Sequence, residues 1–212
     1  FPEGVTKYPA ELFTDITLPP PPENSSAQVR EEIATLKSFK YLRTLKELED
    51  FTAEGNRKTL YFGGYTLEQY TDPKFFPATA ALIIDSFHDT EVIEMQQKKI
   101  FDRVRPSALD PSLDTMVQVH GHPAYPSYRS TEMHFLAYVF SELAPLRREE
   151  FITRAYAIAF NCQIAGLQYP SDTAAGVVLA KQIFSSFMKS DKFNSLLEAA
   201  RKEWLEKGLT QT

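Results

Sequence analysis

The chain has 212 residues, room for one ordinary domain with an extended arm, and its 43% hydrophobic and 24% charged residues exclude wholesale disorder. Its 23 lysines and arginines against 28 acids give a net charge of −5 without a basic stripe, which argues against nucleic-acid binding. The longest apolar runs, such as Ala78 to Ile84, fall far short of the ~18 residues of a membrane span, and one cysteine allows neither an internal disulfide nor a cysteine-rich metal site. The first residue is Phe1 rather than methionine, as in a chain whose leader has been removed or whose end has been trimmed.

Residues 1–24 read as an extended arm, because Leu18 is followed by the prolines Pro19 to Pro22, which form a polyproline stretch without internal hydrogen bonds. Ser25 or Ser26 then caps a helix, with Glu31 and Glu32 in its early turns and Ile33, Leu36 and Tyr41 at helical spacing, running to about Asp50. Gly55, Gly63 and Gly64 mark a connection over residues 51–65. Phe75, Phe76, Ala80, Ile83, Ile84 and Phe87 form an apolar helical stripe, and a second helix over about 90–103 stops before Pro106. Residues 106–128, rich in Pro, Ser, Asp, His and Gly, read as a long functional loop. Helices follow over about 130–144, 148–168 and 172–189, and Asp191 caps a last amphipathic one to about Lys207. Strand-like alternation is nearly absent, and the 27 aromatic residues promise a well-filled core. The expected fold is an all-α bundle over residues 25–212 with the proline-rich arm lying on it.

Three segments carry residue types suited to chemistry. In Lys98-Lys99-Ile100-Phe101-Asp102-Arg103-Val104-Arg105-Pro106, Lys98 and Arg105 stand about two helical turns apart, so they are expected to project from one face near a helix end and hold an oxyanion between a point charge and a planar fork. The bland alternative is a solvated basic helix end. In Ala124-Tyr125-Pro126-Ser127-Tyr128-Arg129-Ser130, Ser127 or Ser130 caps a helix whose first N–H groups offer an anion site, with Arg129 adding a donor. The third segment runs from Arg154 to Asp172. In it Gln168 is expected to end a helix, Ser171 or Asp172 to cap the next, and Asp172 to orient the group at 168.

In order and spacing these segments resemble the three-part signature of the type 2 phosphatidic acid phosphatase and vanadium haloperoxidase superfamily, and within it the bacterial class A nonspecific acid phosphatases. The first element of that family, Lys, six residues, Arg-Pro, is met by Lys98 and Arg105-Pro106. Its second, Pro-Ser-Gly-His, is met by Pro126-Ser127 but not by Tyr128-Arg129. Of its third, Ser-Arg, five residues, His, three residues, Asp, only Asp172 is present. The four-proline arm, Tyr125, Arg154-Ala155-Tyr156, Ala165-Gly166-Leu167 and Tyr169-Pro170-Ser171 extend the likeness over roughly residues 12–205. It implies the helical fold of that family. It also implies a site in which one histidine attacks phosphorus, a second protonates the leaving alcohol, and Lys and two Arg neutralise the phosphoryl oxygens.

Both histidines are replaced here. The nucleophile position is Gln168, whose carboxamide is a poor nucleophile, and the acid position is Arg129, whose pKa above about 12 prevents useful proton donation. Cys162 takes the place of one phosphate-binding arginine, Asn161 that of its serine, and Tyr128 that of the glycine that lets backbone approach phosphate. Lys98, Arg105, Ser127, Tyr128 and Arg129 remain as candidate anion ligands, so the expectation is a pseudophosphatase that keeps a pocket for a small anionic ligand. The alternative is repurposed chemistry, with Cys162 as a thiolate nucleophile and His120, His122 or His134 as acid or base. A third reading is purely structural, with Tyr128 filling the pocket and aromatic surface serving a homo-oligomer. No cofactor is expected: vanadate loses its histidine ligand, and His120, His122, Glu132 and His134 fit no compact metal pattern. The family's usual export suggests a periplasmic or secreted setting.

Overall fold

The helical periodicities close into an all-α architecture in the computed structural model, which describes residues 4–44 and 58–210. The described α-helices are α1 (Ala27–Ser38), α2 (Leu67–Thr71), α3 (Pro77–Phe101), α4 (Pro106–Leu109), α5 (Tyr128–Leu143), α6 (Arg148–Ile164), α7 (Pro170–Phe187) and α8 (Asp191–Glu206). Helix α5 is the central element. Met133, Phe135, Leu136, Ala137, Val139 and Phe140 are buried all round it, against α3, α6, α7 and α8. Such an all-round apolar helix has no solvated face and is held by its neighbours.

Aromatic packing fixes one end of the core. Tyr70 stacks on Trp204 at 5.7 Å, Phe140 meets both, and Phe151 closes the group. The N-terminus of α3 has no cap of its own. Glu203 of α8 supplies one, accepting from the backbone N–H groups of Ala78 (3.0 Å) and Thr79 (2.9 Å), while Trp204 Nε1 donates to Thr79 Oγ1.

Several boundaries differ from the sequence expectation. The two helices expected over 74–87 and 90–103 are one, α3, because the polar residues at its middle are satisfied within it: Ser86 Oγ donates to the Leu82 carbonyl and Thr90 Oγ1 to that of Ser86. Asp89 accepts from the backbone of Lys7 and Tyr8, which ties residues 7–8 to α3. The arm is held further along by the reciprocal pair Thr17–Gln182 and by Tyr125, whose hydroxyl donates to the Pro19 carbonyl at 2.6 Å. Ser26 caps α1, which ends at Ser38 and gives way to a 3₁₀ turn over Phe39–Leu42; the end of the expected helix, 45–50, lies outside the described residues. So does 51–57 of the expected connection, and its remainder holds a small antiparallel hairpin, β1 (Tyr61–Phe62) and β2 (Tyr65–Thr66). Helix α2, not expected from the sequence, follows on a Thr66–Gln69 capping box. Ser190, not Asp191, caps α8.

Candidate functional site

Helix α3 ends at Phe101, where Asp102 turns left-handed (φ 42°). Lys98 and Arg105 therefore do not share a helix face, and what converges them is the loop between α3 and α5. Lys98 is 0% exposed, and its ammonium donates to the carbonyls of Pro123 (3.0 Å), Ala124 (3.4 Å) and Pro126. Arg105, the residue before Pro106, donates from Nε to the His122 carbonyl (3.0 Å), from Nη1 to the Leu167 carbonyl (2.9 Å) and from Nη2 to His122 Nδ1 (3.0 Å). Arg105 thus ties the loop to the turn that carries Gln168. A guanidinium has five N–H bonds, and these contacts use three.

The turn between α6 and α7 is set by glycine. Helix α6 ends at Ile164, four residues before Gln168, which therefore does not terminate a helix as expected. Gly166 adopts φ +76°, and a Cβ there would stand 3.0 Å from the Asp114 carbonyl oxygen. Helix α7 starts at Pro170, and neither Ser171 nor Asp172 is its N-cap; Asp172, in the first turn, reaches back to accept from the Tyr169 N–H at 2.9 Å. Gly176, one turn on, lets α7 cross close to the start of α5: a Cβ there would meet Ser130 Cβ at 2.7 Å and the Ser127 carbonyl at 2.8 Å. This contact brings the second and third segments together.

At their junction Ser127 caps α5 by accepting from the Ser130 N–H, and its hydroxyl donates to Gln168 Oε1 at 2.6 Å. Gln168 is 4% exposed. Asp172 does not orient Gln168. Its other oxygen accepts from Arg103 Nη1 at 2.5 Å, and Arg103 also reaches Ser171 (2.8 Å) and Glu32 (3.3 Å) and lies over the Tyr169 ring. Arg103 sits inside the first segment without a role legible there, because its partners Glu32 on α1 and Asp172 lie far away in the chain.

His120 and His122 come to the site, with rings stacked 5.4 Å apart. Burial lowers the His120 pKa, and the charges of Arg105, Arg129 and Lys98 lower it further. Burial, then Lys98 and Arg105, push His122 down to about 3. His122 Nδ1 lies between Arg105 Nη2 (3.0 Å) and the Pro123 carbonyl oxygen (3.2 Å). Arg129 turns along its own helix to pair with Glu132 at 3.1 Å. Tyr128 stands 6.2 Å from the His122 ring and anchors its hydroxyl on Glu91 at 2.8 Å, so the phenol spans from the site to α3. Cys162 is buried on α6, near enough to Arg105 to act on it electrostatically. His134 does not join the other histidines: it is buried, its Nδ1 lies 2.8 Å from the Ser130 carbonyl, and its ring meets the half-exposed Tyr156 edge-on.

The architecture is similar to that of a transmembrane PAP2-type phosphatidylglycerolphosphate phosphatase from Bacillus subtilis, with a TM-score of 0.54 at 16% sequence identity over 76% of this chain and 85% of that one. The fold is therefore the helical PAP2-type phosphatase fold. No protein-family model and no curated protein matches the chain. Among the described residues no helix is long and apolar enough to cross a membrane.

Proposed function

We propose that this protein is a non-hydrolysing relative of the PAP2-type phosphatases, similar in plan to the class A acid phosphatases, that binds a small phosphate-like anion at a cradle where Arg105 and Arg129 supply donors and the buried Lys98 supplies charge. The observation that carries the reading is the Ser127–Gln168 hydrogen bond. A carboxamide occupies the nucleophile position, is engaged by the serine of the second segment, and stands beside an aspartate already committed to Arg103. An amide there accepts and donates hydrogen bonds but forms no phosphoenzyme. His122, kept neutral by burial and by Lys98 and Arg105, adds a polar ring at the same place. An exported, periplasmic setting belongs to the same reading. The test is a thermal shift with phosphate, sulfate and vanadate beside an assay with p-nitrophenyl phosphate. Millimolar anion should raise the melting temperature, Lys98→Ala with Arg105→Ala should remove the rise, and ester hydrolysis should be absent. Rapid hydrolysis by the natural protein overturns the reading.

One observation favours a second reading. His120 reaches the surface, and its pKa is lowered by partial burial and by the charges of Arg105, Arg129 and Lys98, which suits a general base or nucleophile for an anionic substrate. Turnover that disappears in His120→Ala but survives Gln168→Ala would select it over the first.

A further inference from the structure

Glu94 lies one helical turn before Lys98 on α3, is 0% exposed, and neither carboxyl oxygen has a hydrogen-bond partner among the described residues. Lys98 Nζ stands 3.5 Å from Glu94 Oε1, a long ion pair that opposes burial but does not outweigh it. Glu91 lies on the same helix, and from α5 Glu132 approaches with Tyr128 and Arg129 bonded near it; all these acids act to hold Glu94 uncharged. Around Lys98 stand Arg105, Asp172 and the loop carbonyls. A buried carboxylate without hydrogen bonds is expensive, whereas a buried ammonium whose N–H groups meet three carbonyls is not.

We propose that Glu94 carries a proton inside the cradle, that this proton is what leaves Lys98 with an uncompensated positive charge, and that an arriving anion keeps it in place. The inference rests on the anion reading above and adds a residue to it: Glu94 acts as a positioning residue, through Lys98, without touching the ligand. Its physical basis is the choice of which partner loses a proton. Burial raises Glu94 to about 8 and lowers Lys98 to about 8, and the carbonyl cage around the ammonium directs the loss to Glu94. Once Glu94 ionises, the pair is neutral and the cradle has one positive charge fewer.

The test uses sulfate, which stays dianionic throughout, with calorimetric titration from about pH 6.5 to about pH 9 in two buffers of different ionisation heat. In the natural protein sulfate affinity should weaken towards tenfold per pH unit at the upper end, with proton uptake on binding. Glu94→Gln should flatten the profile and abolish the uptake, with Glu94→Met as a second neutral variant should the first fold poorly. An unchanged slope and uptake in both variants would overturn the proposal. Denaturant unfolding without sulfate separates this from the anion reading. A carboxyl raised in the folded state binds more protons there than in the unfolded chain, so its contribution to stability drains away as pH rises from about 5 to about 8. The natural protein should therefore lose stability relative to Glu94→Gln across that window. If sulfate binds at no pH and the unfolding curves diverge, the anion reading falls and the buried proton stands; if they run parallel, both fall.

Discussion

Arg103 and Asp172 form a buried ion pair at 2.5 Å that joins the end of α3 to the first turn of α7. Asp172 is a structural anchor for Arg103, which also holds Ser171 and Glu32 of α1. Arg103→Ala would strand two buried carboxylates. We expect a loss of about 3–5 kcal/mol in urea unfolding, and a clearly smaller loss for Glu32→Gln, which keeps the hydrogen-bonding shape.

Gly176 sets the approach of α7 to α5. Gly176→Ala places a methyl 2.7 Å from Ser130 Cβ and 2.8 Å from the Ser127 carbonyl, and backbone cannot yield cheaply. The expected cost is about 1–3 kcal/mol. Because Ser127 bonds Gln168, any anion-induced thermal shift should shrink along with stability, whereas Gly121→Ala, where a Cβ meets open space, should leave both unchanged.

The histidines make the fold sensitive to acid. His122 is pushed down to about 3, and His120 and His134 are also lowered, chiefly by burial. In the window between these folded values and the ordinary imidazole value of about 6.5, the unfolded chain binds more protons than the folded one. Stability from these residues is thus fully present above about pH 6.5 and is lost as pH falls below it. Urea midpoints should decline from about pH 7 to about pH 4, less steeply in His122→Asn. Ring NMR signals of His122 should show no titration step near pH 6.5.

Restoring the lost groups should restore chemistry only when done together. Gln168→His alone should stay inactive towards p-nitrophenyl phosphate, because Asp172 is held by Arg103 and the leaving group still lacks an acid. Gln168→His with Arg129→His, Cys162→Arg and Tyr128→Gly should gain measurable hydrolysis at acidic pH. Activity in the single variant would show that the acid position is dispensable.

The sequence by itself determined the fold class and most of the helices, because burial of apolar residues at helical spacing is a local pattern readable without the neighbours. Phe193, Leu197, Ala200 and Trp204 line one face of α8 as their spacing implies, and Ser127 caps α5 through its own side chain, which accepts from the N–H three residues on. The text of the chain also singled out Ser127 and Gln168, and the structure bonds one to the other. What only the tertiary structure decided was where charges go. That Arg103 takes Asp172, that Glu94 lies buried beside Lys98, that the His120 and His122 rings stack while His134 packs on Tyr156, all depend on how the folded chain arranges these groups and excludes water. Coulomb interactions and desolvation depend on distance in space and on burial, and a one-dimensional spacing carries neither.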